Sequence, residues 1–265
     1  MSAAPHDITV RKVKFEFPDE LDDVLPGNDL VRETYLVAFS LTMPYLEPYL
    51  IRSFRSVVDD ITEAGLVADV REFIGQEAQH FQNHRRINEI IKEQLGPVVA
   101  AELQVIEDRL DADYRRFNAS KSRRFNLSYA EGFEAMTCAM ALTSIAEAEA
   151  GRGTVSPGPW GQLWAWHLAE EMEHRTVAFD LYEHLEGSYP YRVMGSLRAQ
   201  AHFQRTIGRL QRVLLASQGA RARHHVPPWF KAGRGRYLDT FTPGYDPGEI
   251  DPGPIPALIL SQYAA

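Results

Sequence analysis

Hydrophobic positions recur along the chain at the three- and four-residue spacings of amphipathic α-helices, in one segment after another. No segment alternates apolar and polar residues over the length of a strand. Glycine and proline separate the segments, and the clearest breaks are Gly65, Gly96-Pro97 and Gly187. We therefore predict six long helices, over residues 30–61, 66–94, 98–117, 126–150, 160–185 and 191–217.

The predicted helices occupy most of the chain, with a less regular segment at each end. We predict a polar N-terminal arm (1–28), a helical domain (29–220) and a Pro-, Gly- and Asp-rich C-terminal tail (221–265) that wraps the same domain. Residues 35–51 are almost apolar enough to cross a bilayer, but Pro44, Glu47 and Pro48 interrupt them. We therefore expect a buried bundle helix here and no transmembrane segment.

Composition and charge narrow the classes of function. The net charge is -8, so the chain lacks the basic surface that a nucleic-acid partner requires. Cys138 is the only cysteine, which excludes an internal disulfide and thiolate zinc clusters and fits a reducing compartment. Residues 1–17 lack the apolar core of a signal peptide. Together these features predict a cytoplasmic protein.

Two predicted helices each carry a Glu-x-x-His motif: Glu77 and His80 on the second, Glu171 and His174 on the fifth. Residues three apart lie on one face of a helix, so each motif projects a carboxylate and an imidazole together. Glu173 falls about 100° away from His174 and is expected to face solvent. The same two faces carry three further candidates, either as additional ligands or as groups that orient the ligands: His84, His167 and Glu170.

A di-metal helical bundle also needs one glutamate from each of two other helices. The first helix offers Glu47 among apolar neighbours, where an ionised carboxylate is very costly without a cation beside it. The fourth helix offers Glu134, and Glu131 is its competitor, rotated by about 60°. The sequence does not decide between these two residues.

These residues predict a dinuclear metal centre inside an all-α fold. The fold expected is a ferritin-like four-helix bundle core with additional helices and an irregular C-terminal tail. Mixed carboxylate and imidazole ligands suit two iron ions best, with manganese as an alternative and zinc less favoured. The predicted metal ligands are Glu47, Glu77, His80, Glu134, Glu171 and His174.

The metal-bearing segments resemble a bacterial family catalogued as predicted metal-dependent hydrolases and placed among the ferritin-like proteins. The resemblance rests on the runs QEAQHFQNHRRIN, GFEAMT and WHLAEEMEHRTVAFDLY, and it spans residues 30–247. The family's histidine near the C-terminus is missing here, where the run is Pro-Gly-Tyr-Asp-Pro over residues 243–247. The resemblance implicates these residues in the metal site: Glu77, His80, His84, Glu134, His167, Glu170, Glu171 and His174.

From the ligand types we expect a non-haem di-iron oxidoreductase that activates dioxygen to oxidise a small, largely apolar substrate. The alternative is a metal-dependent hydrolase that uses a di-metal-bound hydroxide, with Arg85 and Arg175 available for an anionic substrate. A metal-storage or structural bundle is a third hypothesis, which the extra helices and the long tail oppose. The expected partner is a small molecule, and an electron donor and a homodimer are left open. The substrate pocket is expected beside the metals, lined by Met43, Phe81, Met136 and Met140.

Overall fold

The computed structural model describes residues 8–21, 24–25, 29–150, 158–220 and 228–263, and for residues 228–232 only the backbone. These residues contain helices and no strand, which confirms the all-α prediction, and their arrangement is compatible with a ferritin-like bundle. The α-helices are α1 (Leu30–Arg55), α2 (Ala64–Leu95), α3 (Pro97–Ser120), α4 (Arg123–Glu149), α5 (Pro159–Glu173), α6 (Val177–Leu185), α7 (Tyr189–Ser217), α8 (Pro228–Asp239) and α9 (Ile255–Leu260).

Helix α1 continues through two prolines beside the centre of the bundle. Pro44 has no N–H, so the carbonyl of Ser40 loses its partner one turn away. The side chain of Asn88, on α2, replaces that partner by donating from Nδ2 to Ser40 O at 2.8 Å. The helix ends at Arg55, earlier than predicted, and a short 3-10 turn (Val58–Asp60) follows it.

The fifth helix predicted from the sequence is in fact two helices, α5 and α6, separated at His174 to Thr176. Neither glycine nor proline marks this break, so the sequence offered no signal for it. The Arg175 side chain caps the end of α5, because its Nη1 donates to Met172 O at 2.6 Å. As a result His174 is the C-cap residue of α5, where the backbone leaves the regular helical geometry that would otherwise set the direction of its side chain.

Helices α4 and α7 approach each other through two glycines. A Cβ atom on Gly132 would lie 2.2 Å from Ser196 Cα, and one on Gly195 would lie 2.4 Å from Ser128 Cβ. The backbones can therefore approach this closely only because neither residue has a side chain. Helices α1 and α2 form the other extensive pair, and α1 also packs against α3 and α7.

Both ends of the described chain are more closely integrated than the sequence suggested. The N-terminal arm buries Ile8, Phe15 and Leu21 in the core. The C-terminal segment differs from the irregular tail expected, because it contains α8, packed on α4, and α9, packed on α5. Residues 151–157, and residues 221–227 of the predicted tail, lie outside the described part, and the three-part division of the chain stays a prediction. None of the helices described is both long and apolar enough to cross a membrane.

Candidate metal centre

Seven carboxylate and imidazole side chains from four helical segments meet inside the bundle, and none is more than 4 % exposed. In the first group, the ligand atoms of Glu47, His80 and His167 lie within 4.8 Å of one another. The second group meets the same criterion and contains Glu77, Glu134, Glu171 and His174. The structure thus brings together all six predicted ligands and adds His167, which the sequence left open.

Two glutamates connect the two groups. Glu171 has Oε1 at 2.9 Å from His167 Nε2 and Oε2 at 3.3 Å from His174 Nε2. Glu77 Oε1 lies 3.4 Å from His80 Nδ1 and 3.6 Å from His174 Nε2. Each carboxylate therefore touches an imidazole of both groups, so ions held by the two groups would be neighbours that share ligands.

Several polar atoms of this cluster are buried without a hydrogen-bond partner in the described structure: both carboxylate oxygens of Glu47, Oε1 of Glu77 and Nδ1 of His80. Buried polar atoms in proteins are almost always satisfied, so a concentration of unpaired acceptors at one point is what a cation-binding site would show. Four ligand carboxylates would neutralise two divalent ions, and oxygen and imidazole donors suit iron, manganese or zinc. The residues present therefore fit a pair of metal ions.

Considered without cations, the side chains of the cluster strongly perturb one another's pKa. Burial, together with the neighbouring carboxylates, raises the pKa of Glu47 and of Glu134 well above its usual range. Burial opposes ionisation of Glu171, but His174 and His167 outweigh it and hold the pKa of that carboxyl well below its usual range. Burial likewise opposes the charge on His174, but Glu171 and Glu134 raise its pKa. Without cations, Glu47 and Glu134 thus favour their neutral forms, and ionisation of all four carboxyls would require positive charge beyond that of the cluster's own imidazoles.

Glu170 holds the outer nitrogen of His80, that is, the ring nitrogen that points away from the two ligand groups. His80 Nε2 lies 3.0 Å from Glu170 Oε2, and Glu170 Oε1 accepts from Arg11 Nη1 at 3.2 Å. Both oxygens of Glu170 are engaged on the far side of His80. Of the two roles left open for Glu170, the geometry favours orienting a ligand over being one, and it leaves His80 Nδ1 facing the cluster.

The outer nitrogen of His174 is held by Gln76, a residue that the sequence analysis missed. His174 Nδ1 lies 2.9 Å from Gln76 Oε1, and Gln76 Nε2 donates to Glu173 Oε2 at 2.8 Å. This network places the proton on Nδ1 and leaves Nε2 free for a metal. Glu173 was expected to face solvent, but it also accepts two hydrogen bonds from Arg11. The N-terminal arm, which brings Arg11 to Glu173, explains the error.

The outer nitrogen of His167 is held by a chain of polar groups that ends on α1. His167 Nδ1 lies 2.8 Å from His84 Nε2, and His84 Nδ1 lies 2.7 Å from Ser40 Oγ. Ser40 Oγ in turn donates to Asn88 Oδ1 at 2.6 Å. Burial, with His167 and His80 nearby, lowers the pKa of His84, which fits a neutral ring. His84 therefore lies behind His167 and outside both ligand groups.

The structure also separates Glu134 from its competitor. Glu131 accepts from Arg192 Nη1 at 3.1 Å and contributes no atom to either group. The two arginines proposed for an anionic substrate lie elsewhere. Arg175 donates to Pro247 O at 3.1 Å, and Arg85 lines a cavity of about 160 Å³ between α1, α2 and α3.

The methionines expected to line a substrate pocket are buried in the apolar interior: Met43, Met136 and Met140.

Comparison with known proteins places the chain in a family. The family model described as "predicted metal-dependent hydrolase" matches residues 9–251, so the chain belongs to this family. No curated protein and no solved structure matches the chain. The family description agrees with the hydrolase that the sequence analysis gave as its alternative, and it lends no support to the di-iron oxygenase that the analysis preferred.

Proposed function

We propose that the chain is a dinuclear metal-dependent hydrolase. One ion would be held by Glu47, His80 and His167, and the other by Glu134 and His174, with two carboxylates shared between them. The observation that carries the proposal is the position of those shared carboxylates, Glu77 and Glu171, each of which touches an imidazole of both groups. A pair of adjacent ions is the arrangement typical of two-metal hydrolases.

Two bound ions would supply Lewis acidity, which polarises a substrate oxygen and acidifies water. The chain's own contribution is to hold and orient. Glu170, Gln76 and His84 each fix one ligand imidazole by its outer nitrogen, which selects the tautomer and leaves the inner nitrogen free. Burial of all the ligands keeps bulk water away from the charges, so their attraction for a cation is less screened.

The positions of the cations favour an uncharged substrate, such as a carboxylic ester or an amide. Arg175 donates to the carbonyls of Met172 and Pro247, and Arg11 is paired with Glu170 and Glu173. Both guanidinium groups therefore already have partners, whereas binding a phosphoryl oxygen usually requires a cation that can turn towards it. An ester or amide carbonyl makes no such demand.

Activation of dioxygen is the second candidate, and one observation favours it. Four carboxylates outnumber three imidazoles in the two groups, and carboxylate-rich ligand sets of this kind occur in di-iron bundles. This second function would also involve iron as the native metal, an electron donor and a homodimer, all of which remain proposals.

One experiment separates the two functions. Zinc-loaded and manganese-loaded protein is assayed without oxygen on carboxylic esters, amides and phosphodiesters, and Glu134→Gln serves as the metal-site control. Anaerobic cleavage of esters or amides that is lost in the control is the expected result. Ferrous protein is mixed with oxygen in parallel and followed by absorbance. No cleavage with either metal, combined with oxygen-dependent absorbance of the iron form, would replace the hydrolase by the oxidase.

A further inference from the structure

Arg11, on the N-terminal arm, is connected to a ligand histidine of each ion. We propose that Arg11 is a positioning residue that orients His80 and His174 together. The proposal rests on the dinuclear centre of the proposed function. It adds a role for a segment that contributes no ligand of its own.

The first connection passes through one carboxylate. Arg11 Nη1 donates to Glu170 Oε1 at 3.2 Å, and Glu170 Oε2 lies 3.0 Å from His80 Nε2. Glu170 is completely buried. Without Arg11 this buried carboxylate would lose its guanidinium partner, and nothing on that side would then fix the oxygen that holds His80.

The second connection passes through a carboxylate and an amide. Both terminal nitrogens of Arg11 donate to the two oxygens of Glu173 at 2.8 Å. Glu173 Oε2 accepts from Gln76 Nε2 at 2.8 Å, and Gln76 Oε1 lies 2.9 Å from His174 Nδ1. This geometry requires a planar guanidinium group, because a lysine ammonium is a point charge and cannot form the fork.

The arm is fixed to α2 at several points, which keeps Arg11 in place. Thr9 O accepts from Gln76 Nε2 at 3.1 Å, and the side chain of Val10 fits against Gly75. Further along, Asn83 Nδ2 donates to Val13 O at 3.0 Å and Arg86 Nη2 donates to Phe15 O at 2.8 Å. The Arg11 side chain is consequently only 11 % exposed. Arg86 holds the same arm but does not contact Glu170 or Glu173, so it provides a matched control.

The test compares Arg11→Gln and Arg11→Lys with Arg86→Gln. Cobalt(II) is titrated into metal-free protein against a competing chelator, and the visible spectrum reports the geometry of the ligands. We expect Arg11→Gln to change the visible spectrum and to weaken cobalt binding by about tenfold or more. This is the usual effect of removing a group that hydrogen-bonds to a metal ligand or orients it. Arg11→Lys should lie between Arg11→Gln and wild type, and Arg86→Gln should match wild type in both measurements.

Melting temperatures of the metal-free variants show whether each one folds, and Arg11→Lys decides the question if Arg11→Gln does not. Wild-type affinity and spectrum in the folded Arg11 variants would overturn the proposal and leave the dinuclear centre intact. Equal losses in Arg11→Gln and Arg86→Gln would also overturn it, because they would show a general effect of loosening the arm. A wild-type protein that binds fewer than two cobalt ions would instead refute the proposed function itself.

Discussion

Glu47→Gln should stabilise the metal-free protein and destabilise the metal-loaded one. Both oxygens of Glu47 are buried without a hydrogen-bond partner in the described structure, and Glu77, Glu171 and Glu134 lie near enough to disfavour its charge. Burial and those carboxylates raise its pKa well above the ordinary value of 4.5. In the folded, metal-free protein this shift favours the protonated carboxyl, whereas in the unfolded chain the carboxyl ionises at its ordinary pKa.

The magnitude follows from this difference in protonation. A raised pKa in the folded state gives stability that is complete below pH 4.5 and is lost as the pH rises towards the folded pKa. At about 1.4 kcal/mol per pH unit, holding the proton at pH 7 costs up to about 3 kcal/mol. Glutamine removes this cost, but its buried amide loses about 1 kcal/mol for imperfect hydrogen bonding. We expect a net gain of roughly 1–2 kcal/mol at pH 7 that disappears near pH 5.

The assay is urea unfolding of wild type and Glu47→Gln at pH 5, 6 and 7 in the presence of a chelator, repeated with saturating zinc. With zinc at about 100 times its dissociation constant, an intact site adds about 2.7 kcal/mol, which the variant should forfeit because it lacks one ligand carboxylate. The difference in stability between the two proteins should therefore change sign.

Glu186→Gln is the control, because the same substitution should give the opposite pH trend. Burial opposes ionisation of Glu186, but Arg124 and Arg123 outweigh it and lower its pKa. A lowered pKa gives stability that is present above the ordinary value and is lost as the pH falls. The variant should lose less than about 1 kcal/mol at pH 7, since the pair lies near the surface. A metal-free Glu47→Gln protein that is less stable than wild type at pH 7 would refute our reasoning about the cluster.

Two further pairs of variants test the packing and the choice of ligand. In urea titrations Gly65→Ala should raise the unfolding free energy by about 0.4–1 kcal/mol, because the added Cβ meets nothing within 4 Å. Gly75→Ala should lower it by about 1–2 kcal/mol, because its Cβ would lie 2.4 Å from Val10 Cγ2. Equal gains in both variants would mean that the N-terminal arm does not pack against Gly75. Glu134→Ala should leave at most one tightly bound metal ion per chain by elemental analysis, whereas Glu131→Ala should retain two, and the reverse result would identify Glu131 as the ligand.

The residues that gather in the two candidate groups could be predicted because their spacing is local. Glu77 and His80 are one helical turn apart, as are Glu171 and His174, so the 3.6-residue period alone places each pair on one face. Glu47 stood out because a carboxylate among apolar helix positions is costly. The all-α fold followed from the same periodicity. Helix geometry was therefore almost sufficient to predict which four helical segments contribute side chains to the two groups.

Gln76 and Arg11 could not be predicted as groups behind the ligands, because their roles depend on contacts between distant parts of the chain. Gln76 lies about 100° around α2 from Glu77, and its contact is with His174, 98 positions further along the chain. Arg11 is separated from Glu170 by 159 positions. His84 and His167 share one face with the ligands of their own helices, so periodicity could not assign them different roles.

The pairing of the buried glutamates gives a physical criterion for the ligands that is independent of any motif. Among the described residues, three buried glutamates have an arginine or lysine partner: Glu107 with Lys92, Glu131 with Arg192, and Glu170 with Arg11. The other four have no such ion pair among the salt bridges of the described chain: Glu47, Glu77, Glu134 and Glu171. Those four are also the carboxylates that gather in the two ligand groups. A buried negative charge must be balanced. The protein supplies an arginine or lysine for the glutamates outside the groups, and under the proposed function metal ions would take that role for the four inside them.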